Sequence, residues 1–147
     1  MRNTVLLIDA NVIISYITNR RPGFEEAMKI LDWCRDEHIE GYMAFHTVSI
    51  LWYVLRKKPD GERRALLLDL CELLAVIGAS HQAVVDAIRN EAFMDFEDCL
   101  QEKCAGTVHA DYIVTENLRD FESSAIPAKK PAEMLELLHH IHGENKS

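Results

Sequence analysis

Thr4-Val5-Leu6-Leu7-Ile8 is a short, uninterrupted run of β-branched and leucine residues that stops at Asp9. A run of this length with no polar alternation is the pattern of a strand buried on both faces of a parallel sheet. After Asn11 the stretch VIISYI turns helical, so the chain begins as strand, acidic residue, helix. Outward from there the pattern repeats. Phe24, Ala27, Met28, Leu31 and Cys34 recur at helical spacing. Gly41 to Phe45 reads as a second strand, and His46 to about Leu55 as a helix that His46 or Thr47 could cap. The charged turn RKKPDGERR, Arg56 to Arg64, leads to a helix over Ala65 to Leu74, then a third strand over Ala75 to Ser80 and a helix from His81 to about Asn90. Asp95 and Asp98 stand at capping-box spacing before a helix that Gly106 is expected to stop. Asp111 to Thr115 is the fourth strand, IPAKKP a short fifth, and Pro131 starts a last helix to about Ile141. Strands alternating with helices of this kind define an α/β domain with a mainly parallel sheet of four or five strands.

At 147 residues, 48% of them hydrophobic and 27% charged, the chain has the size and composition of one globular domain spanning residues 1–147. No apolar run approaches the roughly 18 residues needed to cross a bilayer. Asp9 interrupts the first apolar stretch too early for a signal peptide, so a cytoplasmic location is expected. Cys34, Cys71, Cys99 and Cys104 form no CxxC pair, which argues for reduced thiols and against structural zinc. No GxGxxG or GxxxxGK[ST] motif is present. An aspartyl-nucleophile phosphatase would want a second Asp at the position held by Asn11. The net charge of -8 opposes binding to nucleic acid unless a cation or a local basic patch intervenes. Arg20, Arg21 and the turn around Arg56, Lys57, Lys58, Arg63 and Arg64 supply local basic charge, for phosphates or for solubility.

In open parallel sheets, ligands collect beyond the carboxyl ends of the strands, where the strand order reverses. Asp9 closes the first strand, Asn117 and Asp120 lie just past the fourth, and Asp98 sits early on the helix that precedes it. Three carboxylates from three elements repel one another, and a hard divalent cation such as Mg²⁺ or Mn²⁺ resolves that. Each residue also has a plainer reading. Asp9 suits the cap of the next helix, Asp98 an acidic solvated face with Glu91, Asp95 and Glu102, and Asn117 and Asp120 an ordinary turn. Asp95 reads as an N-cap, and HHIH, His139 to His142, as a frayed helix end.

Taken together, LLIDANVII at Leu6 to Ile14, DFEDCLQEKCA at Asp95 to Ala105, DYIVTENLRDF at Asp111 to Phe121 and the following IPAKKPAEML resemble the PIN-domain family, close to VapC-type toxins. The resemblance implies a three-layer α/β/α sandwich and a metal-dependent ribonuclease site made of acidic residues. It places Asp9 and Asp98 as metal ligands, Asn11 and Thr115 as polar groups beside them, and the fourth acidic position on Asn117 or Asp120, of which Asp120 carries the charge. It further implies RNA as substrate, with an antitoxin protein or a second copy of the chain as partner, the residues around Trp33, Trp52 and Tyr53 serving an interface or the core. One departure stands out. The family's Glu on the helix after the second strand has no counterpart in HTVSILWYVLRK, His46 to Lys57. A one-metal site, a weaker nuclease, or a silent module that binds RNA or a protein all follow from that loss.

Overall fold

The structure, a computed structural model, describes residues 2–93 and 95–143. Among them five parallel strands, β1 (Thr4–Ile8), β2 (Ile39–Ala44), β3 (Ala75–Ile77), β4 (Tyr112–Val114) and β5 (Ala128–Lys129), form one sheet in the order β3-β2-β1-β4-β5. The helices are α1 (Ala10–Ile17), α2 (Phe24–Trp33), α3 (Phe45–Val54), α4 (Asp60–Leu73), α5 (His81–Arg89), α6 (Phe96–Thr107) and α7 (Pro131–His142).

β1 is central, and every one of its residues is buried. Its alternation assigns the two faces of the sheet. Leu6 and Ile8 point into a core shared with α1, α2, α3, α4 and α7, through residues such as Val12, Ile30, Leu51, Leu70 and Leu138. Leu7 points the other way, into a second core with Ala87 of α5, Cys99, Cys104 and Ala105 of α6, and Phe93 and Phe121. This is the three-layer α/β/α arrangement. Burying each large side chain of β1 contributes about 1.5–3 kcal/mol, which is why a continuous apolar run was needed there. Among the described residues no helix is long and apolar enough to cross a membrane.

Several boundaries differ from the sequence reading, each for a local reason. α4 begins at Asp60 rather than Ala65, because Pro59 suits a helix start and Asp60 and Glu62 place negative charge on its first turn. β2 starts two residues earlier, at Ile39, whose partner is Thr4, and ends at Ala44, so that Phe45 already belongs to α3. β3 is only three residues long because its sole neighbour β2 ends at Ala44, the partner of Ile77, leaving nothing beyond it to pair with. Gly106 does not stop α6. The helix runs through Thr107, and the chain turns at His109, which takes the left-handed conformation with φ 53°. Ala44, not His46 or Thr47, holds the cap position of α3, and it makes no side-chain cap bond. The HHIH segment is ordered helix, pinned where His142 Nε2 meets the Thr4 hydroxyl at 2.8 Å. Cys34, Cys99 and Cys104 are buried free thiols, as their spacing suggested, and Cys71 is an exposed one.

Gly41, in β2, is dictated by packing. A Cβ there would lie 2.6 Å from Cys34 Sγ and 2.8 Å from Leu74 Cδ2, closer than atoms approach. Gly41→Ala is therefore expected to cost about 1–3 kcal/mol, as overpacking of a filled core does. A urea midpoint unchanged from wild type would contradict this packing.

Candidate active site

The strand order reverses between β1 and β4, and the carboxyl ends of these two strands carry Asp9 and Thr115. Asp9 is 4% exposed and hydrogen-bonded on three sides. Its backbone N–H donates to the Val114 carbonyl at 2.9 Å, continuing the β1–β4 ladder for one more residue. Its Oδ1 accepts from the Ala10 N–H at 2.7 Å, capping α1, and its Oδ2 accepts from the Thr115 hydroxyl at 2.8 Å. Capping and membership of the acidic crevice are thus compatible uses of one carboxylate.

The Thr115 hydroxyl is fully used. It donates to Asp9 and accepts from Asn11 Nδ2 at 3.3 Å and from the Asn117 N–H at 3.1 Å. Asn11 closes the loop, its Oδ1 accepting from the Glu116 N–H at 3.2 Å. This network locks the orientation of Asp9 and ties the segment after β4 to the first turn of α1. Thr115→Val would leave Asp9 Oδ2, Asn11 Nδ2 and the Asn117 N–H without that partner. The expected outcome is a loss of about 1–3 kcal/mol and a further rise of the Asp9 pKa, measured by urea unfolding and carboxyl-carbon NMR titration.

Asp98 comes from the opposite layer. It stands in the first turn of α6, where its backbone N–H donates to Asp95 Oδ1 at 3.2 Å, so Asp95 is the helix cap that its position suggested. Asp120 lies on a short 3-10 turn over Leu118–Phe121, held down by buried Phe121 packed edge-on against Phe93. These three carboxylates act on one another. Burial is the main cause that pushes Asp98 up to about 7, followed by the charges of Asp9, Asp95 and Asp120 and a hydrogen bond with Asp120. Asp9 is pushed up to about 6, again chiefly by burial, opposed by the bonds from Thr115 and Ala10 and reinforced by the charges of Asp120 and Asp95. Among the described residues, no Lys or Arg pairs with Asp9, Asp98 or Asp120.

Of the residues singled out from sequence, Asp9, Asn11, Thr115, Asp98 and Asp120 are thus linked by hydrogen bonds or charge. Asn117 joins through its backbone N–H, while its side chain makes no cap bond on an exposed turn. No three Asp, Glu, His or Cys side chains among the described residues are gathered closely enough to form a metal cage.

Sequence reasoning missed the seam between α3 and α6. Buried Gln101, one turn beyond Asp98, donates through Nε2 to the Thr47 hydroxyl at 3.0 Å. Half-buried His46 meets the Glu97 backbone, and burial holds its pKa below the ordinary value. α3 therefore presents neutral polar groups to α6 and no carboxylate. Trp52 is turned away, under the Arg63 guanidinium at 3.6 Å, and Tyr53 is exposed beneath Arg56. Only helical periodicity placed these side chains, and it does not say which faces meet.

The family profile described as PIN domain matches residues 5–119. The chain belongs to the PIN-domain family. No curated protein matches it in sequence. Among solved structures it is similar to VapBC-1 from nontypeable Haemophilus influenzae, at 18% identity and a TM-score of 0.64, covering 88% of this chain and 99% of that one. A toxin-antitoxin complex from Klebsiella pneumoniae is similar at 21% identity and a TM-score of 0.64, over 86% and 97% of the two chains. The sarcin-ricin loop cleaving toxin VapC20 of Mycobacterium tuberculosis is similar at 12% identity and a TM-score of 0.56, over 74% and 86%. At these identities the likeness is one of fold.

Proposed function

We propose that this PIN domain, taken as one unit over residues 1–147, is a divalent-cation-dependent endoribonuclease, the toxin of a toxin-antitoxin pair working in the cytoplasm. The observation that carries the reading is that Asp9, Asp98 and Asp120, from three separate elements, lie within electrostatic reach of one another near the point where the strand order reverses, Asp98 and Asp120 sharing a hydrogen bond. Asp9 and Asp98, their pKa values raised by burial and by neighbouring carboxylates, with no cationic side chain paired to them among the described residues, fit a hard oxygen-binding ion, Mg²⁺ or Mn²⁺. Asp9, Asp98 and Asp120 would hold it. When bound, such an ion activates water and offsets the charge that builds on a phosphodiester.

The chain's own part is positioning. Thr115 and the Ala10 N–H fix both oxygens of Asp9, Asn11 and the Asn117 N–H fix Thr115, and the α6 cap at Asp95 sets the height of Asp98. The similar toxin-antitoxin structures support an antitoxin as protein partner, with a second copy of the chain as the other candidate.

A second reading is favoured by α3, which offers no carboxylate to the crevice: a silent module that binds RNA or a protein. Calorimetric titration of Mn²⁺ into wild type and Asp9→Asn, with cleavage of structured RNA in Mn²⁺ and in EDTA, separates the two. Metal binding lost in the variant, together with metal-dependent cleavage, supports the nuclease. RNA binding that survives EDTA with no cleavage supports the module.

A further inference from the structure

The loop between α1 and α2 is pressed against the residue that follows Thr115. A Cβ on Gly23 would come within 2.9 Å of Glu116 Oε2 and 3.2 Å of the Ser15 hydroxyl. The loop is also fixed from within, by the Arg20 N–H donating to the Ser15 carbonyl at 2.9 Å and by the left-handed turn at Asn19, φ 56°. Around this contact lies a cavity of about 280 Å³, whose walls include Ser15, Arg20, Arg21, Gly23, Glu26 and Glu116. Its position relative to the carboxylates is set by one side chain. Asn11 accepts from the Glu116 N–H and donates to Thr115, whose hydroxyl donates to Asp9.

We propose that this cavity is a nucleotide subsite beside the reacting phosphate. Arg20 and Arg21 take a backbone phosphate, and Glu116 and Glu26 take the exocyclic amino group of a base. The assignment rests on the nuclease reading above.

Guanidinium groups suit phosphate because their N–H donors match its oxygens in pairs. Arg21 is already steadied by Glu25 and by the Phe24 ring 5.2 Å away. Arg20 enters no ion pair among those recorded for the described residues, leaving its charge for a ligand. Carboxylates accept hydrogen bonds and donate none, so they favour bases that carry an exocyclic amino group, cytosine, adenine or guanine, over uracil, which has none. They also repel a second phosphate, which assigns the base to one side of the cavity and the phosphate to the other. At about 280 Å³ the cavity falls just below the range of ligand sites, about 300–1,000 Å³, so it admits no more than one unstacked nucleotide and suits a single-stranded target.

The test is fluorescence anisotropy with labelled single-stranded RNA, as oligo-C, oligo-A and oligo-U, in EDTA over a salt series, followed by steady-state cleavage in Mn²⁺. The double variant Arg20→Ala, Arg21→Ala is expected to bind about tenfold more weakly and to reduce the slope of log K against log salt by about 1. Its KM should rise with kcat nearly unchanged. Glu116→Gln is expected to erase the preference for oligo-C and oligo-A over oligo-U while melting as wild type does. Replacing Lys57 and Lys58 by Ala serves as a control for charge alone. If the arginine variant keeps wild-type affinity, slope and KM, or if the control matches its losses, the subsite is wrong and the nuclease reading stands. A base preference unaltered by Glu116→Gln overturns the carboxylate's role. Wild type that neither binds nor cleaves any of these RNAs overturns the nuclease reading and the subsite together.

Discussion

Asp9→Asn is expected to lower Mn²⁺-dependent RNA cleavage by about a thousandfold or more while leaving the protein folded. The size follows from what a bound cation supplies, several kcal/mol of charge stabilisation, with each 1.36 kcal/mol worth about tenfold in rate. Folding should survive because Asn is nearly the same shape and keeps one carbonyl oxygen to accept from either the Ala10 N–H or Thr115. Asp98→Asn should act alike, since its carboxylate makes no bond that the α6 cap needs; the cap uses Asp95 Oδ1 and the Asp98 backbone. Cleavage assays with matched circular dichroism read both effects. Full activity in both variants would remove these residues from the site and with them the mechanism.

The fold was legible from β1 outward because a parallel strand buried on both faces leaves an unmistakable apolar run, and Leu6, Leu7 and Ile8 are wholly buried. Edges were less legible. β3 and β5 are short, partly exposed and held mainly by one neighbour, so little in their composition marks where they stop. Asp9 was legible as a strand-end acid, and its double use as cap and crevice carboxylate explains why a capping reading competed so well. Asp98 was ambiguous for a different reason. Helical spacing puts it on a stripe with Asp95 and Glu102, and only the tertiary packing of α6 separates Asp98, which feels the charge of Asp9, from Asp95, which caps the helix, and Glu102, which accepts from the Ala125 N–H. The Thr47–Gln101 bond joins residues 54 apart in sequence and has no local signature at all. Gly23 and Glu116 likewise meet only through the tertiary fold, which is why Arg20 and Arg21 read as surface charge until the loop is seen against the crevice.

The burden of these carboxylates should also appear as a stability that falls with rising pH when no divalent ion is present. Asp9 titrates near 3.8 when unfolded and at about 6 in the fold, so between those values the folded chain holds a proton that the unfolded chain has lost. The folded state is then favoured at low pH, and that advantage disappears as pH rises through about 6. For the buried Asp9 carboxyl the loss amounts to about 3 kcal/mol at 1.36 kcal/mol per pKa unit. Asp98, raised to about 7 but half-exposed, adds about 1 kcal/mol once solvent screening is allowed for. His46 works in the opposite direction, since a lowered imidazole pKa adds stability as pH rises toward its unfolded value. The informative quantity is therefore the difference between wild type and Asp9→Asn, followed by urea unfolding in EDTA from pH 4 to pH 8. Wild type should lose stability relative to the variant by about 2–3 kcal/mol across that range. Mn²⁺ at a hundred times its Kd should return about 2.7 kcal/mol to wild type at pH 8 and little at pH 4, where protons occupy the carboxylates. Parallel curves for the two proteins in EDTA would mean that Asp9 is not strained by its surroundings, and that the crevice has no charge for a cation to relieve.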